Sequence, residues 1–270
     1  MQEQTDPPGE PNPGLVSTAI QAITQHIRSE GLAPGDPLPS EAAMTRQLNV
    51  SRTVVREAFR SLSAMRLIDM SAGRRATVAK LDTGAMRRLE ELHRHWRLGR
   101  TGGQRMMLTE CDLKRLDLSL MDFTDAYFVR CSLERANLRG AQFRNAILTG
   151  TIFDEADLTG AIFERADLRG ALFQGTDMTR ASLSSADLRK DFSKEETTPA
   201  CQFRGARLEQ TNFVGAKLIS VNFSGAFLLE ADFSGADMRK TNFAAAEIQA
   251  IRLAGAEWDG ADFNSASLDE

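Results

Sequence analysis

Histidine, cysteine and tyrosine are scarce in this chain. Its 270 residues include three histidines, three cysteines and one tyrosine. Metal centres and nucleophilic sites are usually built from clustered histidine and cysteine side chains, but His93 and His95 stand two apart on a predicted helix and cannot face one another. A glycine-rich phosphate-binding motif is also missing. We therefore expect no enzymatic activity and no bound metal or cofactor.

Long apolar runs are absent as well. No stretch approaches the roughly 18 residues that a membrane span requires, and the first residues do not form a charged segment followed by an apolar one, as a secretory signal would. The sequence therefore predicts a cytoplasmic protein with no membrane partner.

Charge is divided unevenly along the chain. Residues 1–107 contain 15 Lys and Arg against 11 Asp and Glu, whereas residues 108–270 contain 18 against 26. The basic excess is concentrated in residues 40–80, which carry eight basic and three acidic side chains. A basic patch of this kind is typical of a surface that binds a polyanion, although many solvated surfaces have a similar composition.

Residues 1–80 divide into a tail and a small domain. Four prolines within residues 1–14 favour a disordered tail. Apolar spacing then predicts a helix over 15–28, and Ser40 and Ser51 are placed to cap two further helices. Residues 67–78 have the pattern of a hairpin. Three helices followed by a hairpin form the outline of a winged helix-turn-helix, a small α+β domain over 15–80.

The helix that follows Ser51 carries an arginine at every fourth position. Arg52, Arg56 and Arg60 share one face, opposite an apolar stripe formed by Val55, Phe59 and Leu62. Arginine suits both phosphate oxygens and the guanine edge because its planar fork donates two parallel hydrogen bonds. An ordinary solvated helix face would carry the same residues, so the arginine spacing alone leaves both interpretations open.

The motifs around these arginines are specific in order and spacing. The segments GDPLPSE at 35–41 and VSRTVVREAFRSL at 50–62 strongly resemble the GntR family of bacterial winged-helix regulators. The resemblance covers residues 15–80 and implies binding to double-stranded operator DNA. It places contacts at the start of the recognition helix and at a wing tip that enters the minor groove. With the serine that begins the preceding helix, the candidate DNA-binding residues are Ser40, Ser51, Arg52, Thr53, Arg56, Gly73 and Arg74.

Two positions depart from the pattern of that family. Ala42 stands where many members have an arginine, and Val54 stands where a second threonine is common. Each change removes a possible DNA contact. The departures therefore put in doubt both a high affinity and the family's usual operator.

The rest of the chain repeats with a period of five. From Leu108 to Leu268, 31 of 33 positions in frame are large and apolar, and the exceptions are Ser193 and Thr198. Two residues before each of the 31 lies a second inward position, which is alanine in 19 cases. This period fits neither a helix nor an ordinary strand. A fixed repeat predicts a solenoid whose repeats bury their apolar residues by stacking on neighbours.

The repeat unit, in which Asp or Asn often separates a small from a large residue, resembles the pentapeptide-repeat family over about 106–268. The resemblance implies a right-handed, quadrilateral parallel β-helix with 20 residues per coil, here spanning residues 106–270. Residues 20 apart would stack, which places Phe123, Phe143 and Phe163 in one column. Residues 189–200 interrupt the frame, either as polar loops from two faces or as an insertion that the coil bypasses.

Residues 81–105 are predicted to form a helical connector between the two domains. Its middle carries an apolar stripe at helical spacing. The first coil of the solenoid has large residues at normally small positions, so we expect it to be wider and able to pack on this helix. The residues of the stripe are Ala85, Leu89, Leu92 and Trp96.

The two domains support competing functions. The leading hypothesis is a sequence-specific transcriptional regulator in which the β-helix serves dimerisation or partner binding. Some pentapeptide-repeat proteins mimic duplex DNA and protect type II topoisomerases such as gyrase, so topoisomerase protection is the alternative, with the winged helix giving DNA targeting or autoregulation. The acidic balance of residues 108–270 is compatible with mimicry, but their 18 basic residues make a poor DNA mimic. A pure interaction scaffold is a third interpretation, which the arginines oppose.

We expect a homodimer, since helix-turn-helix proteins usually bind DNA as dimers. Two surfaces could join the chains. The last coil would leave an unpaired edge over Phe263 and Leu268, which favours tail-to-tail pairing. The apolar stripe of the connector offers the other route. We favour the carboxy-terminal contact.

Overall fold

The chain folds into two compact units, residues 1–81 and 82–270. The structure, a computed structural model, describes residues 13–32, 35–64, 67–70, 74–79, 81–191 and 199–269. The predicted tail therefore lies outside the described residues, apart from its last two positions. Those two positions begin the first helix, α1, which spans Pro13–Ser29. Proline suits the first turn of a helix because its missing N–H would be unpaired there in any case.

Three helices build the core of the first unit. Helix α1 packs on α3, Arg52–Ala64, and α2, Glu41–Leu48, contacts both of them. Ser40 caps α2, since its side chain accepts a hydrogen bond from the backbone N–H of Ala43 at 3.2 Å. The predicted inward stripe of α3 is confirmed. The shared core of the unit consists of Ala19, Ile23, Leu38, Met44, Val54, Val55, Ala58, Phe59, Leu62, Ile68 and Ala76.

A short hairpin completes this unit. Strand β1, Ile68–Asp69, pairs antiparallel with β2, Thr77–Val78, as the sequence predicts. The segment before α2 lies along the other side of β2, because the N–H of Leu38 bonds to the carbonyl of Ala76 at 2.8 Å. The start of α2 is thereby attached to the hairpin. Residues 71–73 lie outside the described residues.

Helix α4, Thr83–Arg97, belongs to the second unit and not to a separate connector. It packs on the first coil, as the large residues there predict. Its buried side chains are Ala85, Met86, Leu89 and His93, whereas Trp96 is 38% exposed. Ala85 and Leu89 of the predicted stripe pack within their own chain, whereas Leu92 is partly buried, so only Leu92 and Trp96 remain accessible for a dimer contact.

The repeats form a parallel solenoid with 20 residues per coil. Isolated bridges and short strands join residues 20 apart, as where β3, Met107–Thr109, pairs with β4, Tyr127–Val129. At the far end, β5, Phe227–Leu229, pairs with β6, Glu247–Gln249, and β6 pairs with β7, Ser267–Asp269. Among the described residues from Leu108 to Ile248, the side chains in frame are at most 4% exposed. The five-residue frame is confirmed.

Phenylalanine rings stack along the solenoid in columns. The ring centroids of Phe123 and Phe143 lie 5.1 Å apart, and those of Phe143 and Phe163 lie 4.9 Å apart. A second column starts at Phe153 and meets the first edge-on, with 6.1 Å between the centroids of Phe143 and Phe153. Both geometries are favourable for aromatic pairs. The predicted column is confirmed.

The fifth residue of the pentapeptide, two positions after the large inward one, adopts a left-handed backbone conformation in almost every repeat that the structure describes. Its φ is 66° at Gly160 and 57° at the non-glycine Arg165. This conformation is free for glycine and costs other L-residues roughly 1–2 kcal/mol. The requirement explains why glycine recurs at this position of the repeat.

The coil bypasses the interruption. Leu172 bridges to Gln202 and Asp187 bridges to Lys217, so the register across this point is 30 residues instead of 20. The N–H of Cys201 bonds to the carbonyl of Leu188 at 3.1 Å, which closes the turn without the intervening segment. Of the two predicted paths, the inserted segment is the one observed. Residues 192–198 of it lie outside the described residues.

Candidate nucleic-acid interface

Helix α3 presents its arginines on the side away from the core. Arg52, Arg56 and Arg60 are exposed, as the sequence predicts. Val54 and Ala58 are also buried, so the apolar stripe is wider than Val55, Phe59 and Leu62. The burial of Val54 means that its side chain serves the core of the unit and not a DNA contact. The three exposed guanidinium groups, called here the guanidinium row, thus form a basic face on α3 opposite its buried stripe.

Two serines fix the helix starts around this row. The side chain of Ser51 accepts a hydrogen bond from the N–H of Val54 at 3.3 Å, and Ser40 plays the same part at α2. A capping hydroxyl uses only its oxygen and retains its proton as a donor. Each serine could thus donate to a phosphate oxygen while it caps its helix. Thr53, in the first turn of α3, is exposed.

A contact between α2 and α3 was not foreseen from the sequence. The Nε atom of Arg56 donates to Oε2 of Glu41 at 3.4 Å. Arg60 has a separate partner, since its Nη1 atom donates to Oε2 of Glu57 at 3.3 Å. Glu41 and Arg56 are 15 residues apart on different helices, so no helical periodicity links them. Only the packing angle of α2 on α3 brings them together.

The hairpin contributes further basic side chains. Arg74 and Arg75 are exposed just before β2, while Gly73 lies outside the described residues. A shallow concavity joins the hairpin to the start of α2, and it brings Arg74 together with Ser40. Its lining residues are Pro39, Ser40, Glu41, Phe59, Met70, Arg74, Arg75 and Ala76. Of the predicted DNA-binding residues that the structure describes, all six therefore lie on α3, at a helix start or beside the hairpin.

The outer surface of the solenoid carries many ion pairs between arginine and carboxylate side chains. Some join successive coils, as where Nε of Arg135 lies 2.7 Å from Oε2 of Glu155. Others lie within one turn, as where Arg239 lies 2.7 Å from Asp237 and its hydrogen-bonded guanidinium holds the pKa of that carboxyl below its usual value. The same two-residue spacing recurs at Asp187, where burial opposes ionisation but hydrogen bonds from Arg189 hold the pKa of the carboxyl low. The carboxylates of the solenoid are thus partly neutralised by neighbouring arginines.

The last coil is more open than the others. Phe263 is partly buried, and its ring stacks on Phe243 with 4.9 Å between centroids. Trp258 is 54% exposed. The backbone of Leu268 lies in β7, while its side chain falls outside the described residues. The two residues proposed for dimerisation therefore lie at the same end of the solenoid.

The described part of the chain shows neither a membrane-spanning helix nor a cluster of metal-ligating side chains. No helix there is both long and apolar enough to cross a bilayer. No group of three or more histidine, cysteine, aspartate or glutamate side chains in those ranges is arranged to hold a metal ion.

Family models match both units. The model for bacterial regulatory proteins of the gntR family matches residues 15–78. The model for pentapeptide repeats matches in eight copies between residues 107 and 249.

Two curated relatives each match a short stretch of the chain. The galactonate operon transcriptional repressor of Escherichia coli (strain K12) is 52% identical over 46 residues, which is 17% of this chain and 20% of the relative. The transcriptional repressor NanR of Cronobacter sakazakii (strain ATCC BAA-894) is 40% identical over 60 residues, 22% of this chain and 23% of the relative. The chain thus spans about a fifth of the length of these relatives.

Solved structures similar to this chain include a pentapeptide-repeat protein. Rfr23 from the cyanobacterium Cyanothece 51142 aligns with 46% of this chain and 91% of its own, at 19% identity and a TM-score of 0.41. QnrB1, a plasmid-mediated fluoroquinolone resistance protein, aligns with 62% of this chain and 91% of its own, at 20% identity and a TM-score of 0.37. The family matches and the two-unit structure lead to one conclusion: the chain joins an amino-terminal gntR-family helix-turn-helix domain to a carboxy-terminal pentapeptide-repeat solenoid.

Proposed function

We propose that this protein is a cytoplasmic, non-enzymatic transcriptional regulator that binds a specific double-stranded DNA sequence through its first unit. The observation that carries the proposal is the row of exposed guanidinium groups on α3, Arg52, Arg56 and Arg60, opposite the buried stripe. Similarity to two bacterial transcriptional repressors supports it. Because the matches cover only about a fifth of each relative, the sensing function of the whole protein does not follow from them.

In the proposed complex the first unit acts as a winged helix-turn-helix. The start of α3 enters the major groove, where Arg52 and Arg56 contact base edges. Ser40, Ser51 and Thr53 donate to backbone phosphates. Arg74, on the wing, enters the minor groove beside the recognition site, where a narrow groove attracts an inserted cation.

The second unit has a different proposed role. As a right-handed, quadrilateral β-helix with its bore filled by leucine and phenylalanine side chains, it leaves no room for a small-molecule effector. We assign it to homodimerisation through the end that carries Phe263 and Leu268, and to partner binding along its outer faces. The open packing of the last coil, with Trp258 half exposed, supports this assignment.

Protection of a type II topoisomerase by DNA mimicry is the second candidate. The excess of acidic residues over 108–270 favours it. The ion pairs of the solenoid count against it, because a carboxylate held by arginine at 2.7 Å presents little of the unpaired charge that a phosphate backbone carries. We therefore place this candidate below the regulator.

One experiment separates the two. The purified full chain selects duplexes from a random pool, and the affinity for the selected duplex is then measured by fluorescence anisotropy. The Arg52→Ala/Arg56→Ala variant should lose ~2–5 kcal/mol of binding free energy if both arginines contact bases. The Arg87→Ala/Arg88→Ala variant removes the same charge from exposed positions on α4 and should bind as the wild type does.

The same samples enter a gyrase supercoiling assay in the presence of an inhibitor. If the protein enriches no duplex from the random pool but restores supercoiling by inhibited gyrase, topoisomerase protection becomes the favoured function. If Arg52→Ala/Arg56→Ala binds the selected duplex as tightly as Arg87→Ala/Arg88→Ala does, α3 is not part of the DNA interface.

A further inference from the structure

Arg56 does not stand free on the recognition surface. Its Nε atom is held at 3.4 Å by Oε2 of Glu41, the first residue of α2. The side chain of Arg56 is 56% exposed and that of Glu41 is 34% exposed, so the pair lies at the surface with the carboxylate on the inner side. An acidic residue at this place is unexpected for a surface that binds a polyanion, and it therefore calls for a reason.

The position of Glu41 is fixed by the backbone around it. Ser40 caps α2, and Met44, one turn further along that helix, is fully buried in the core of the unit. Leu38, just upstream, is buried and bonds to the hairpin through the carbonyl of Ala76. The carboxylate is thus anchored by the rigid part of the domain and not by a loop. An arginine side chain that contacts it loses much of its rotational freedom.

Because Arg56 contacts Glu41 through Nε, the donors on its terminal nitrogens remain available for DNA. A guanidinium has five N–H donors, one on Nε and two on each terminal nitrogen. With Nε–H directed to Glu41, the two terminal nitrogens remain as a fork on an exposed side chain. This fork matches the O6 and N7 acceptors of guanine, and a contact of this kind discriminates against other bases by on the order of ten- to a hundred-fold.

From this geometry we propose that Glu41 is a positioning residue that sets the base specificity of Arg56, and that the base read by Arg56 is guanine. The inference rests on the proposed function. The carboxylate orients the guanidinium before DNA arrives, so less conformational entropy is lost on binding. It also repels phosphate, which penalises complexes in which Arg56 has slipped from a base edge to the backbone. Glu41 thus lowers non-specific binding while it favours the cognate site.

The chain supplies a matched control for this idea. Glu57 lies on α3 itself and pairs with Arg60 at 3.3 Å, without contact to Arg56. Glu41→Ala and Glu57→Ala each remove one negative charge from the same surface. Any general gain in affinity for DNA is therefore common to both variants. Only Glu41→Ala releases the guanidinium of Arg56.

The test measures guanine preference on the duplex selected by the wild-type full chain. Each G·C pair of that duplex is replaced in turn by A·T, and the preference at a position is the ratio of the two Kd values from fluorescence anisotropy. Arg56→Lys identifies the position read by Arg56, because lysine cannot form the planar fork. At that position we expect Glu41→Ala to reduce the preference about three- to ten-fold, a part of the full discrimination of an arginine–guanine contact. We expect Glu57→Ala to leave it unchanged.

Glu41→Gln is the second variant, since it retains an oxygen that can accept from Nε–H while it loses the charge. Its guanine preference should lie between those of the wild type and Glu41→Ala, with increased affinity for random DNA. It decides the question if Glu41→Ala does not fold by circular dichroism. A wild-type preference in both Glu41 variants, or an equal loss in Glu57→Ala, would overturn the role of Glu41 while the proposed function stands. Failure of the wild type to select any sequence would overturn both.

Discussion

We expect the solenoid to lose stability in acid because of His93, at the junction between α4 and the first coil. His93 is fully buried there, and both of its ring nitrogens bond to backbone groups. Nε2 lies 2.8 Å from the carbonyl oxygen of Thr124, and Nδ1 accepts from the N–H of Met106 at 3.1 Å. This arrangement requires the neutral ring with its proton on Nε2, since a proton on Nδ1 would point at a second donor.

The charges around His93 set the direction of its titration. Burial lowers the pKa of His93, and Arg97 lowers it further, against the opposing effects of the Thr124 carbonyl and of the carboxylates of Asp122 and Asp125. The pKa in the folded state therefore lies below the unfolded value of about 6.5. The unfolded chain takes up the proton first as the pH falls. The stabilisation by His93 is thus complete above about pH 6.5 and declines as the pH drops from there towards the folded pKa.

Two variants measure how much His93 contributes to the free energy of unfolding. His93→Ala leaves the N–H of Met106 and the carbonyl of Thr124 buried without this partner, at about 1–3 kcal/mol each, so we expect a loss of about 2–5 kcal/mol at pH 7.5. His93→Gln keeps one donor and one acceptor but does not titrate. We expect it to retain most of the stability and to lose the pH dependence between 7.5 and 5.

Tryptophan fluorescence can report this junction alone. The chain has two tryptophans, Trp96 and Trp258, and the ring of Trp96 stacks on His93 with 5.4 Å between centroids. In a Trp258→Phe background, urea unfolding followed by fluorescence reports the α4 end of the solenoid. The reasoning fails if the stability of the His93→Gln variant falls with acid as steeply as that of the wild type.

Three further predictions concern the solenoid. Phe143→Ala should lower the free energy of unfolding in urea by ~3–5 kcal/mol because a regular coil cannot collapse around the cavity. Lys217→Ser, at an outward position, should change it by no more than about half a kcal/mol. Equal losses for the two variants would contradict the five-residue frame. Ala245 has a φ of 56°, so Ala245→Gly should raise the melting temperature, stabilising by about 0.5–1 kcal/mol, while Ala246→Gly, which deletes a buried methyl group, should lower it; a lower temperature for both would refute the role assigned to the fifth residue. Phe263→Glu should convert the dimer to a monomer in light scattering, and a persistent dimer would move the interface away from the last coil.

The sequence predicted the elements that depend on local spacing. The inward frame from Leu108 onwards, the caps at Ser40 and Ser51 and the exposed arginines of α3 all follow from residues at fixed short distances along the chain. Chain geometry alone determines which of these side chains share a face. These features are therefore readable without knowledge of the packing.

Features that depend on packing between distant residues were missed. The Glu41–Arg56 contact depends on the angle at which two helices pack. The buried ring of His93 is hydrogen-bonded to the carbonyl of Thr124, which lies 31 residues further along the chain. The two-residue separation of His93 from His95 gave no sign of a structural role for either. Likewise the two paths for residues 189–200 have the same phase in sequence, and only the 30-residue register distinguishes them.

The central claim is sequence-specific DNA binding by the first unit, and one ratio tests it most directly. The Kd of the wild-type full chain for its selected duplex is compared with the Kd for a duplex of the same length and composition in scrambled order, at one physiological salt concentration. If the first unit reads DNA sequence, the selected duplex should bind on the order of a thousand-fold more tightly or better. A ratio near one would mean that the arginines of α3 make only non-specific charge contacts, and that the protein does not recognise a DNA sequence.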